Sequence, residues 1–221
     1  MPIVRHNGGM SPNDPQDFLA VLALVAAGGV VLMLAAKVIP SVASVRFLDV
    51  LHRWQLWLAA LVATTASLGS IWFSEYGNHW VPCRFCWFQR IFMYSLAIIL
   101  IIAAIRKDRS VKWYVVPLAS IGLVFSFWHN LIEHRVIEES KLCISVTSCA
   151  NPWHVSFGKL GFNRDGVFEW SGMPMTLAVM AFCGFAAILA LLLTPEALDT
   201  PDQASAPEAV KEEHNGEPAA G

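Results

Sequence analysis

The chain has 221 residues, of which 56% are apolar and only 14% charged, with a formal net charge of -2. Soluble domains carry about 25% charged residues, so an ordinary soluble domain is excluded. The near-neutral balance offers nucleic acid no basic surface, and none is expected as a partner.

The apolar residues fall in blocks. Uncharged runs cover Phe18–Ala36, Leu56–Phe73, Ile91–Ile105, Trp113–Ile132 and Ser171–Thr194. A bilayer core of about 30 Å needs roughly 20 mostly apolar helical residues, and with their flanks the runs predict five membrane spans. The first is read as a retained helix over 18–39, preceded by a segment 1–17. A cleaved signal peptide would want a basic start and a small-residue cleavage site, whereas Asp14 and Asp17 precede this run.

Lysine and arginine set the orientation. Lys37, Arg46 and Arg53 lie between the first and second runs, and Arg106, Lys107, Arg109 and Lys112 between the third and fourth. Both connections are predicted to face the cytoplasm. The segments 74–86 and 132–170 then face outward, as does the amino terminus. The acidic tail 194–221 returns to the cytoplasm, and its Pro, Ala and Glu content predicts disorder. Aromatics such as Trp153 and Trp170 suit part of 132–170 to the membrane interface.

Of the five cysteines, Cys83, Cys86, Cys143 and Cys149 all fall in the outward segments, where disulfides persist. Cys183 sits within the last span and reads as a small apolar packing residue. Cys83-x-x-Cys86 follows Pro82 at the start of the third span. A helix amino terminus favours a thiolate there, and the spacing suits thiol–disulfide exchange better than stabilisation, because so short a loop gains little. A zinc site is a poorer fit, since Cys143 and Cys149 are spaced more loosely than zinc modules allow; no metal is expected. Two structural disulfides remain an alternative.

Arg90 follows Cys86 by four residues, on the same helix face and about 6 Å deeper. It could stabilise the Cys86 thiolate, donate to a carbonyl oxygen at that depth, or snorkel to the headgroups. His52, His129 and His134 do not make a haem pair, because His52 is expected at the cytoplasmic end and the other two near the outer face.

Cys83-Arg84-Phe85-Cys86-Trp87-Phe88-Gln89-Arg90 closely resembles the signature of the bacterial disulfide-bond-formation membrane proteins, the DsbB/BdbC family. Cys143 to Cys149 resembles the second cysteine pair of the BdbC branch, and Ser171-Gly172-Met173-Pro174-Met175-Thr176-Leu177 resembles the motif opening the family's last helix. The resemblance covers about 55–193. It implies an all-α integral membrane fold, a four-helix transmembrane bundle to which this chain adds one extra N-terminal transmembrane helix, in the bacterial cytoplasmic (inner) membrane. It further implies a quinone, ubiquinone or menaquinone, as cofactor. The implied partner is a soluble thioredoxin-fold thiol oxidase, DsbA/BdbD-like. By position, Cys143–Cys149 would be the disulfide that the partner attacks, with the mixed disulfide at Cys143. Cys83–Cys86 would be reduced in turn, Cys86 would face the quinone, and Arg90 would help bind it. The alternatives are a reductase of the vitamin K epoxide reductase type and a disulfide-stabilised membrane scaffold.

Overall fold

A computed structural model describes residues 15–39, 41–76, 79, 81–139, 147–150, 154–156, 159–162, 168–171 and 175–194. The expected outer segment 1–14, the tail from residue 195 and Cys143 lie outside the described residues. So do the side chains of Trp153 and Trp170.

Five helices carry the fold: α1 (Pro15–Val38), α2 (Val42–Ile71), α3 (Arg84–Arg106), α4 (Lys112–Glu133) and α5 (Leu177–Leu192). Four of them, α1 to α4, are long and apolar enough to cross a membrane, and α5 is a shorter apolar helix. Helices α2, α3, α4 and α5 form a ring in which each packs on the next and α5 closes back on α2. Helix α1 stands outside that ring against α5 and α2.

Small side chains let the helices approach closely, which matters in lipid because the tails are as apolar as the core. Ala59, Ala60 and Ala63 of α2 are buried against Leu96, Leu100, Phe185 and Ile188. The closest approach is at Gly122 of α4, where an added Cβ would stand 2.4 Å from the Phe185 ring of α5. Only glycine fits there.

Three boundaries differ from the sequence expectation. Helix α2 starts at Val42, capped by Ser41, whose hydroxyl accepts from the Ser44 amide at 3.1 Å. Its 30 residues are about 45 Å long, roughly 15 Å more than a bilayer core. Arg46, Asp49 and Arg53 therefore ride on helix rather than loop, and the bundle begins well before residue 55. No proline or glycine interrupts Val42–Arg53 to stop the helix. Helix α2 also ends late, in one π-helical turn, Trp72–Tyr76. Helix α5 is shorter than the apolar run 171–194. Thr176 caps it, its hydroxyl accepting from the Val179 amide at 3.3 Å.

The outward segment carries short strands that an all-helical reading leaves out. β1 (His154–Ser156) pairs antiparallel with β4 (Met175–Thr176), and β2 (Lys159–Phe162) with β3 (Phe168–Ser171). The first pair ties this segment to the start of α5.

Candidate active site

Cys83 is the N-cap of α3. Its sulfur accepts from the Cys86 amide at 3.3 Å, one of the helix's otherwise unpaired donors. The two sulfurs lie 2.9 Å apart as free thiols, and both cysteines are buried. The Cys86 thiol donating to the Cys83 sulfur, helped by His129 and opposed by burial, lowers the Cys83 thiol to about 5. Cys83 is thus the thiolate of the pair at neutral pH.

His129 comes from the last turns of α4, and its Nε2 stands 3.6 Å from the Cys83 sulfur. The Gln89 side-chain nitrogen lies 3.2 Å from His129 Nδ1. With that amide donating, Nδ1 is the acceptor and the ring proton sits on Nε2, facing the sulfur. Phe85 stacks on the imidazole, ring centres 5.7 Å apart, and holds its plane. One turn further along α4, Glu133 Oε1 is 3.9 Å from the same Nε2. Glu133 Oε2 accepts from the Thr176 hydroxyl at 2.7 Å, which ties α4 to the start of α5. Oε1 is buried without a hydrogen-bond partner among the described residues. A buried carboxylate oxygen left open beside an imidazole is costly unless it takes up a proton or a donor.

Cys149 lies beside the first cysteine pair. Cys149 is fully buried in one cluster with Cys83, Cys86 and Ile132, and it is disulfide-bonded. Cys143, the partner that the family resemblance implies, is outside the described residues. Glu139 holds this end of the outward segment, accepting from the Cys149 amide and, at 2.7 Å, from the Ser148 hydroxyl.

Arg90 reaches across to α2. Its Nη2 donates to the Ser70 carbonyl at 3.2 Å and to the Ser74 hydroxyl, and its guanidinium carbon lies 5.6 Å from the Trp87 ring centre. The π-helical turn is what brings Ser74 there. Arg90, Cys86 and Gln89 line a cavity of about 510 Å³ whose other walls are almost wholly apolar. The cavity suits a flat, mostly apolar ligand with hydrogen-bond acceptors at one edge, in the size range of small-molecule sites. Cys83, Cys86 and His129 have donor atoms within 4.8 Å of one another. They could hold a thiophilic ion only while reduced, because a disulfide removes both thiolate ligands.

Of the expected site residues, Cys83, Cys86, Cys149 and Arg90 converge on the outer end of the bundle. Cys183 is a free, half-buried cysteine on α5. His52 is at the far end of the bundle, and the exposed His134 caps α4. His129, Gln89, Glu133 and Glu139 were not singled out as site residues in the sequence. The available signal was the spacing of His129 and Glu133, one turn apart at the outward end of an apolar span, where ionisable residues are expensive.

Comparisons with known proteins point to one family. The family described as "Disulfide bond formation protein DsbB" matches residues 52–194. A "Probable disulfide formation protein" of Deinococcus radiodurans is 43% identical over 143 residues, covering 64% of this chain and 88% of its own. A "Probable disulfide formation protein C 2" of Bacillus anthracis is 34% identical over 148 residues, 66% of this chain and 92% of its own. The "Disulfide bond formation protein C" of Bacillus subtilis is 43% identical over 105 residues, 47% and 75% of the two chains. No solved structure matches.

Proposed function

Because this chain belongs to the DsbB family of disulfide bond formation proteins, we propose that it reoxidises a thioredoxin-fold thiol oxidase outside the bacterial inner membrane and passes the electrons to a membrane quinone. Family membership and membrane-length helices make it a multi-pass membrane protein of disulfide oxidation. The partner and the acceptor are the proposal. One observation carries it: the Cys83–Cys86 pair is buried in one cluster with Cys149, and Cys86 also lines a cavity.

The exchange steps balance along that line. A partner thiolate attacks Cys143 of the Cys143–Cys149 disulfide, forming a mixed disulfide and releasing the Cys149 thiolate. Cys149 attacks Cys83 of an oxidised Cys83–Cys86 pair, and Cys86 leaves as a thiolate beside the cavity. The partner's second thiolate then displaces Cys143, closing the partner's own disulfide. Cys143 re-forms its bond to Cys149 and releases Cys83, so the partner is oxidised and Cys83–Cys86 holds two electrons more. His129 is placed to stabilise or protonate the leaving Cys83 sulfur.

A quinone fits the cavity, with Arg90 and Gln89 as donors at its polar edge, and when bound it supplies an acceptor of two electrons and two protons. Mixing a reduced thioredoxin-fold oxidase with the purified protein and a soluble quinone analogue in a stopped-flow instrument tests the reading. Oxidation of one dithiol per quinone reduced is expected, with none in Cys86→Ser. Thiol oxidation that continues over repeated turnovers at an unchanged rate without quinone would overturn it, and electron flow only from hydroquinone to disulfide would favour the reductase reading.

A further inference from the structure

Helix α1 lies outside the family match, which begins at residue 52, yet it is built into the cavity. Leu19, Leu22, Ala23 and Ala26, about two turns of its amino-terminal half, line the cavity together with Gly69 of α2, Cys86 and Arg90 of α3, and Gly184 of α5. The contact is close: a Cβ on Gly69 would stand 3.1 Å from both methyl carbons of Leu19. Ala20 and Ala23 are buried in one cluster with Phe73 of the π-helical turn and Met175 of β4. At the far end Met33 is buried in the main core, and the Lys37 ammonium donates to the Leu193 carbonyl at 3.2 Å. The helix is therefore docked along its whole length, and not only where it meets the cavity. Its opposite face, Val31 and Leu32 among others, stays exposed as a lipid-facing surface would.

We infer that α1 is the lateral wall of the quinone site, making a pocket lined by α1, α2, α3 and α5 in which Leu22 and Ala26 bear on the apolar body of a prenylated quinone and set how tightly it is held. This rests on the proposed quinone dependence. Helices α2 and α5 are the two ring members that α1 covers, so α1 separates the cavity from the surrounding lipid on that side. A ligand that partitions into lipid would otherwise meet the cavity there. The half-buried Ala26 and Leu22 are the positions where volume can be added to or removed from the cavity without touching a thiol or Arg90.

Binding is to be read directly, by quenching of intrinsic tryptophan fluorescence with a decyl-tailed quinone and by extracting the quinone that co-purifies with the full-length protein. Ala26→Phe should weaken binding about tenfold or more by filling the cavity, and Leu22→Ala should change the amount of retained quinone. Single-turnover exchange between the reduced thioredoxin-fold partner and Cys143–Cys149 should keep its rate in both. Leu32→Phe, on the lipid-facing side of the same helix, should bind as the unaltered protein does. Unchanged affinity and retention in both cavity variants, with binding lost in Arg90→Met, would overturn the wall assignment and leave the quinone site standing. Absence of binding to the unaltered protein would overturn the quinone reading itself, and the wall with it.

Discussion

Each end of the bundle buries a histidine, and the two are used differently. At the inner end His52 is pinned on both sides: Nδ1 is 3.1 Å from the Thr194 carbonyl, and Arg109 Nη1 is 2.9 Å from Nε2. A carbonyl can only accept and a guanidinium can only donate, so the ring is fixed as the neutral tautomer protonated at Nδ1. At the other end His129 faces a sulfur whose charge changes with redox state, a carboxylate oxygen with no hydrogen-bond partner among the described residues, and an amide that selects its tautomer. One histidine is a rivet between α2, the turn before α4, and the end of α5. The other sits among groups that exchange protons. Burial alone does not separate them; the partners do.

The largest expected effect is on thiol titration at the outer end. Because the Cys83 pKa is depressed, its thiolate persists from neutral pH down to about 5 and is lost only below that. The ultraviolet absorbance of the reduced protein should report this midpoint, whereas an ordinary thiol titrates near 8.5. Cys86→Ala should raise the midpoint most, since the Cys86 thiol is the largest cause, and His129→Gln should raise it less. A midpoint in the ordinary thiol range would remove the contrast between the two ends.

A smaller effect separates the histidines in kinetics. His129→Gln keeps a hydrogen-bonding side chain but cannot take up a proton, and should slow exchange between the cysteine pairs by about tenfold to a hundredfold. His52→Gln should leave that rate alone and lower thermal stability, by about 1–3 kcal/mol if either partner is left buried and unpaired. Stopped-flow traces and thermal scans on both variants distinguish them. Equal slowing in both would make His129 another rivet.

The smallest effect concerns orphaned polar atoms. Among the described residues, both polar side-chain atoms of Gln55 are buried on α2 without hydrogen-bond partners, as is Glu133 Oε1 at the end of α4. Gln55→Met keeps the volume and removes the unsatisfied groups, so it should stabilise the protein by about 1 kcal/mol without changing turnover. Glu133→Gln should instead slow exchange. A stability loss in Gln55→Met would mean that its amide has a function at the inner end.

Much of the site was legible because chemistry and sequence proximity coincide within about two helix turns. Cys83, Cys86 and Arg90 lie within eight consecutive residues of α3. The apolar runs were enough for the membrane-length helices. What escaped depends on contacts between segments far apart in the chain. Gln89 meets His129 across 40 positions, and Glu133 meets Thr176 across 43; no spacing rule relates such pairs. The early start of α2 escaped because charged residues read as loop until a helix is seen to carry them beyond the membrane.

The amino-acid sequence by itself determined the class of molecule and put two thiols at a helix start, because hydropathy and short-range spacing act locally. Only the tertiary structure decided which histidine faces the thiols, that Cys149 joins the buried cluster of Cys83 and Cys86, that Arg90 is held by the end of α2, and that α1 lines the cavity. Those outcomes are fixed by the order in which helices pack around the ring. That order follows from shape, as where Gly122 admits Phe185, and shape exists only once the helices have met.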